Sequence, residues 1–148
     1  MRILFLLLAI LAGIMLPIQA SMNSKMAKLT DSPLLATIVS FAVGTIALLL
    51  YTLLIQPTLF GQLSSARQAP MYVWLAGILG AFYVVTSVSV LPHLGVALTF
   101  SLIIAGQMLV TLVFDHYGLL GVPVTPINLP RLIGILLIIG GVILIRKF

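Results

Sequence analysis

Five hydrophobic segments, each close to the length of a bilayer-spanning helix and separated by little polar sequence, dominate this chain. They cover about residues 3–23, 33–55, 70–91, 94–114 and 131–146. A helix needs about 20 apolar residues to cross the hydrocarbon core. Only 6% of the residues are charged, against about 25% in soluble domains. The sequence therefore predicts an all-α integral membrane protein, with five transmembrane helices in a single domain over residues 1–148.

Two other interpretations of the hydrophobic segments have less support. The first segment resembles a cleaved signal peptide, but Ile18 is a poor cleavage-site residue and four hydrophobic segments follow. A β-barrel needs strands in which polar and apolar residues alternate, and runs such as 133–139 do not alternate. We therefore expect the first segment to be retained as a helix.

The basic residues lie at the ends of the segments and form no stripe, so nucleic-acid binding is not expected despite the net charge of +5. Five spans place the two termini on opposite sides of the membrane. One side carries Arg2, Arg67 and Arg131, and the other carries Lys25, Lys28, Arg146 and Lys147. Positive charge sets orientation. The near balance leaves two possibilities open: insertion in both orientations with antiparallel pairing, or one weakly specified orientation.

Polar side chains inside the predicted spans are the candidates for solute contact, because such groups are costly in lipid unless they are paired or hydrated. Gln19 and Asn23 lie one helical turn apart in segment one, where Gly13 and Pro17 allow the helix to bend. Gln107 lies in segment four. Each amide can serve instead as a hydrogen bond between helices, so solute binding and packing both remain open.

Other side chains are weaker candidates. Tyr83 and Trp74 can line a cavity, although packing or anchoring at the interface is commoner for each. We expect Asp115 to be solvated or paired with Arg131, and together with His116 it makes only a weak metal site. The chain has no Cys, no Glu and no recognisable hydrolase or phosphate-binding motif. We therefore expect no catalysis, no cofactor and no metal, and we disfavour proton antiport through a buried carboxylate.

Several residues mark the predicted helix ends. Asp31 or Ser32 is expected to cap segment two, with Pro33 in its first turn, and residues 25–33 are expected to form a polar loop. A short turn at residues 92–93 separates segments three and four. Gly118 is expected to end segment four, and the residues up to 130 are too rich in Gly and Pro for helix.

Short motifs follow one another along all five segments. They are Gly13-xxx-Pro17-x-Gln19-xxx-Asn23, Ser32-Pro33, Ser40-Phe41-xx-Gly44, Trp74-xx-Gly77-xx-Gly80, Pro92-x-Leu94-Gly95, Gly106-Gln107, Asp115-His116-x-Gly118-Leu119-x-Gly121-x-Pro123 and Arg131-xx-Gly134-xx-Leu137-Ile138-xx-Gly141-Val142. As an ordered set they resemble the YdcZ-like family of small bacterial inner-membrane proteins, in the drug/metabolite transporter superfamily.

The resemblance implies a dimer, made either of one dual-topology chain or of two oppositely oriented homologous chains. Gly134, Gly140 and Gly141 allow close helix approach, which serves either packing within the chain or a dimer contact. Segment five is similar to the closing helix of small multidrug transporters, where that helix forms the dimer contact, and the resemblance therefore implies a dimer contact here. We therefore predict a secondary transporter of a small solute, working by alternating access among the lipids of the bacterial inner membrane. A flippase for lipids or lipid-linked sugars and a non-transporting membrane scaffold are the alternatives.

Overall fold

Helices make up nearly all of the computed structural model, which describes residues 1–148 and contains no strand. The prediction of an all-α fold is confirmed. The helices are α1 (Arg2–Thr30), α2 (Pro33–Ile55), the short α3 (Leu63–Ala66), α4 (Leu75–Tyr117) and α5 (Leu129–Lys147). Short 3-10 turns cover Pro57–Gln62, Met71–Trp74 and Leu119–Gly121.

Four helical runs are long and apolar enough to cross a membrane, and the predicted spans 70–91 and 94–114 fall within one of them. This run, Met71–Tyr117, has 47 residues. A straight helix of that length would measure about 70 Å, more than twice the roughly 30 Å hydrocarbon core. However, Gly95 has non-helical torsions, with φ 75° and ψ 168°. The helical parts on either side of Gly95, 75–94 and 96–117, each have about the length of one span.

The break in α4 lies at Gly95 and not at residues 92–93, where a turn was predicted. Pro92 lies inside the helix, where its missing N–H removes one backbone hydrogen bond and loosens the preceding turn. The chain then departs from helical geometry three residues later, because a φ of 75° is accessible to glycine without a steric penalty. Thr99 donates its hydroxyl to the Gly95 carbonyl at 2.6 Å, just beyond the break.

The predicted polar loop at residues 25–33 is mostly helical, because α1 continues past residue 23 to Thr30. At about 1.5 Å per residue its 29 residues measure about 43 Å, so α1 is longer than the hydrocarbon core is thick. Asp31 ends α1 in the left-handed conformation, with φ 51°. Ser32 is the cap of α2, since its hydroxyl accepts from the Leu35 N–H at 3.2 Å and Pro33 follows it.

The remaining helix ends lie close to the predicted ones. Segment three begins with the 3-10 turn Met71–Trp74, and its α-helix begins at Leu75. Gly118 follows Tyr117 in the left-handed conformation, with φ 61°, as predicted. Asn128 caps α5, since its side-chain oxygen accepts from the Arg131 N–H at 3.0 Å.

The chain divides into two compact units, Met1–Pro92 and His93–Phe148. In the first unit α1 and α2 pack against each other, and the residues that they bury are small or polar: Ala20, Asn23, Ser24, Ala36 and Thr37. Most of the large apolar side chains are exposed, as expected where lipid is the solvent. Helices in lipid associate through small residues and van der Waals packing, because no hydrophobic force drives them together.

Candidate solute groove between helices α1 and α2

A groove of about 460 Å³ runs between α1 and α2, inside the first unit. Both helices contribute residues at three- and four-residue spacing, which places them on one face of each helix. The lining residues are Met15, Ile18, Gln19, Met22, Asn23 and Met26 from α1, and Ala36, Val39, Ser40 and Val43 from α2. The volume lies within the range of about 300–1,000 Å³ that is usual for small-molecule sites.

Asn23 is the most constrained polar side chain of the groove. It is only 8% exposed, and its side-chain nitrogen has no hydrogen-bond partner. A buried donor without a partner costs about 1–3 kcal/mol. The alternative role predicted for this amide, a hydrogen bond between helices through its N–H groups, is therefore not made within the chain.

Gln19 lies one turn before Asn23 on the same face of α1, as the sequence spacing predicted, and it lines the same groove. Its side chain is exposed. It lies three residues past the middle of α1, or about 4.5 Å along the helix axis.

Helix α1 is continuous through Gly13 and Pro17, the residues predicted to allow a bend. Pro17 has no N–H, so the carbonyl of Gly13 four residues earlier loses its usual helical donor. The Ser21 hydroxyl donates to the Pro17 carbonyl at 2.8 Å. The weakened turn therefore overlaps the start of the groove at Met15, and the bend itself stays a prediction.

The other predicted solute residues do not line this groove. Trp74 is 62% exposed in the 3-10 turn before α4, which suits an anchor at the membrane interface. Tyr83 is half-buried in the first part of α4, and its hydroxyl has no hydrogen-bond partner. Gln107 lies in the second unit with its side chain exposed.

A second groove, of about 230 Å³, lies in the second unit between α4 and α5. Asp115 and Arg131 line it and pair through Asp115 Oδ2 and Arg131 NH2 at 2.7 Å. Each of the two side chains is about one-third exposed (34% and 32%). The predicted pairing is therefore present, and Gly134 of α5 contributes to the same groove.

The Asp115–Arg131 pair belongs to a network that fastens residues 118–130 to the end of α4. Arg131 also donates to the Thr125 carbonyl at 3.0 Å, and the Thr125 N–H donates to the Asp115 carbonyl at 2.7 Å. His116 Nδ1 accepts from the Ile127 N–H at 3.2 Å. These contacts give Asp115 and His116 a structural role, and the chain has no group of three or more potential metal ligands.

The glycines proposed as dimer contacts have open space around them. A Cβ atom placed on Gly134, Gly140 or Gly141 would meet no atom within 4 Å beyond its own helix turn and chain neighbours. By contrast, a Cβ atom placed on Gly80 of α4 would lie 3.8 Å from the Phe41 ring of α2. Within the second unit, the α5 glycines therefore make no close approach to another element.

Sequence reasoning missed most of the groove's apolar lining. The methionines Met15, Met22 and Met26 repeat at seven- and four-residue spacing with Asn23 among them, and this periodicity is visible in the sequence. Ser40 was named only within the Ser40-Phe41-xx-Gly44 motif of segment two. The methionines lie on the same face of α1 as Gln19. This shared face becomes informative only once α2 is known to pack against it.

Several long apolar helices, and a groove between two of them that is lined by two amides, define a multi-span α-helical membrane protein. Residues 4–144 match the family described as "Putative inner membrane exporter, YdcZ". The chain therefore belongs to this family and is an inner-membrane protein, which confirms both the resemblance and the predicted location.

The chain is also similar to the inner membrane protein YdcZ of Escherichia coli (strain K12). The two are 29% identical over 140 residues, which cover 93% of this chain and 92% of that protein. No solved structure matches the chain. The family description places its members among exporters, so transport is supported at the level of the family.

Proposed function

We propose that this chain exports a small solute across the inner membrane by alternating access, and that it works as an antiparallel dimer. The observation that carries the proposal is the α1–α2 groove, in which the exposed Gln19 and the unpartnered Asn23 amide lie one turn apart. Unsatisfied polar groups inside a membrane mark solute paths more often than other positions do. Export, and not import, follows the family description.

A dimer provides two oppositely oriented halves, which a single copy lacks. Many transporters bind their solute between two halves related by an inverted repeat. Two copies of a five-span chain in opposite orientations create that relation without any internal repeat. The nearly balanced basic residues, three on one side and four on the other, are compatible with insertion in both orientations. A pair of oppositely oriented homologous chains would satisfy the same geometry.

The open glycine face of α5 provides a contact surface for the second copy. Small residues let two helices approach closely in lipid, and Gly134, Gly140 and Gly141 have no close neighbour within the second unit. We therefore expect Gly141→Leu to leave the fold of the single chain intact and to weaken the dimer. Cross-linking in native membranes measures this directly, and an unchanged dimer yield would place the interface elsewhere.

A flux assay with unknown cargo tests the transport proposal. Proteoliposomes are loaded with a small-molecule extract of the host bacterium, and mass spectrometry follows which compounds leave faster than from protein-free vesicles. We expect Gln19→Ala and Asn23→Ala to slow the exported compound by about two- to tenfold each, because each removes one hydrogen bond. Gln68→Ala, an exposed amide in the loop after α3, is the matched control and should export normally.

The same variants separate the alternatives. A membrane scaffold would be indifferent to Gln19→Ala and Asn23→Ala, and it would respond only to bulky changes on the α5 glycines. A flippase is favoured by one observation: Met22 and Val43 of the groove lining are 68% and 61% exposed, so one side of the groove is uncovered in the first unit. Export of lipid or lipid-linked sugar, with no release of water-soluble compounds, would select the flippase.

A further inference from the structure

The groove between α1 and α2 has no ionisable side chain in its lining. Seven of its residues are apolar, and the polar ones are Gln19, Asn23 and Ser40, which are uncharged. An unpaired charge is expensive in an apolar site unless an opposite charge or a set of hydrogen bonds compensates it. The lining therefore disfavours a cation as well as an anion.

The one buried polar atom of the groove that lacks a hydrogen-bond partner is a donor. The Asn23 side-chain nitrogen carries two N–H groups and has no partner, in a residue that is 8% exposed. A solute that presents an acceptor would relieve this cost, whereas a solute without one would leave it in place. On this basis, and resting on the export function proposed above, we infer that the solute is uncharged, largely apolar and equipped with a hydrogen-bond acceptor for Asn23.

Access to this donor requires a small rearrangement. The nitrogen is covered in the present conformation, so an acceptor reaches it only after the Asn23 side chain rotates or α1 moves away from α2. A solute with an acceptor thus binds one conformation better than the other. A ligand shifts a conformational equilibrium only by such a difference in affinity, and alternating access requires a shift of this kind.

The three methionines of the lining refine the class of solute. Met15, Met22 and Met26 have flexible, polarisable side chains that fit irregular shapes and make favourable contacts with aromatic rings. The groove is therefore suited to a solute whose apolar part is aromatic, with the acceptor at one end.

Three phenyl-substituted probes test the inference, because they differ mainly in charge and in the acceptor. Triphenylphosphine oxide is neutral and has a strong acceptor, triphenylmethane is neutral without one, and tetraphenylphosphonium is a cation without one. Equilibrium dialysis against the purified full-length chain in micelles gives each affinity relative to that of Asn23→Leu, so that partition into the micelles cancels. Gln68→Leu, outside the groove, is the control variant.

We expect Asn23→Leu to weaken binding of triphenylphosphine oxide by about five- to hundredfold. Binding of triphenylmethane should stay the same or improve, and tetraphenylphosphonium should bind worst to the wild-type chain. Gln68→Leu should change none of these affinities. Equal effects of Asn23→Leu on the two neutral probes, no binding of the oxide, or preferential binding of the cation would each overturn the inference.

Flux of the same probes from proteoliposomes separates this inference from the proposed function. If tetraphenylphosphonium is exported and the oxide is not, transport stands and the class of solute is wrong. If the oxide binds in an Asn23-dependent way and none of the three probes is moved, the groove is a binding site as inferred, and the export function fails. Asn23-dependent binding together with export of the oxide supports both.

Discussion

Replacing Asn23 by leucine should stabilise the folded protein, although this residue lies at the centre of the proposed site. The two side chains have the same branching and a similar size, so the substitution neither opens a large cavity nor overpacks the groove. It removes a covered nitrogen that has no hydrogen-bond partner. Replacing an unsatisfied polar group by an apolar group of the same shape recovers the free energy that its burial cost.

The expected magnitude follows from the burial of Asn23. The side chain is 8% exposed, so nearly the whole cost of about 1–3 kcal/mol for an unpaired donor applies. Polar contacts between membrane helices average only about 0.6 kcal/mol, because the unfolded chain in the membrane also finds partners. We therefore expect Asn23→Leu to raise the free energy of unfolding by about 1–2 kcal/mol.

Reversible unfolding in mixed micelles, titrated with a denaturing detergent, measures this change. Gln19→Leu is the matched control, since this amide lies on the same face of α1 but is exposed, and it should stay within about 0.5 kcal/mol of the wild-type protein. A loss of stability in Asn23→Leu would show that the amide is hydrogen-bonded in the folded protein. The argument for a free donor in the groove would then be refuted.

Two further sets of substitutions test the second unit by the same detergent titration of unfolding. Gly118→Ala should lower the free energy of unfolding by at least about 1–2 kcal/mol, the cost of the left-handed conformation, because its Cβ would also approach Val124 Cγ2 to 2.7 Å. Gly106→Ala is its control and should instead gain about 0.5–1 kcal/mol, since this helical glycine has open space. A double-mutant cycle with Asp115→Asn and Arg131→Met should give a coupling of about 0.2–1 kcal/mol, because both side chains are about one-third exposed; a much larger coupling would mean that the pair is shielded from water.

The sequence predicted the class of fold because the requirements of a bilayer are severe. A segment of about 20 apolar residues with few charges has few stable alternatives in lipid. Helix ends were harder to predict, since hydropathy reports where the hydrocarbon ends and not where the helix ends. The extension of α1 to Thr30 shows this, because Lys25 and Lys28 lie in the helix beyond the apolar run.

The break in α4 illustrates a second limit. Pro92 was the obvious signal for a turn, yet proline restricts the chain locally and does not fix where it leaves helical geometry. Gly95 takes that place because it accepts a positive φ. Because Pro92 and Gly95 are three positions apart, the sequence predicted the region of the helix break but not the residue at which the helix breaks.

The two amides on the α1 side of the candidate groove could be predicted from the sequence. Gln19 and Asn23 were identified because amides are rare and costly inside spans, and their four-residue spacing fixed a common face. The α2 side of the groove, with Val39 and Val43, depends on which face of α2 meets α1. That choice follows from the packing of small residues such as Ala36, which hydropathy alone does not rank.

Transport by this chain requires, on the proposal above, two copies in opposite orientations, and labelling of single cysteines tests this most directly. The chain has no native cysteine. Ser65→Cys in the exposed short helix α3 is nearly isosteric, and Phe148→Cys at the 95% exposed C-terminus samples the opposite side. We predict that a membrane-impermeant maleimide labels about half of each population in intact cells and the remainder only after permeabilisation. Complete labelling of one site together with complete protection of the other would contradict an antiparallel homodimer.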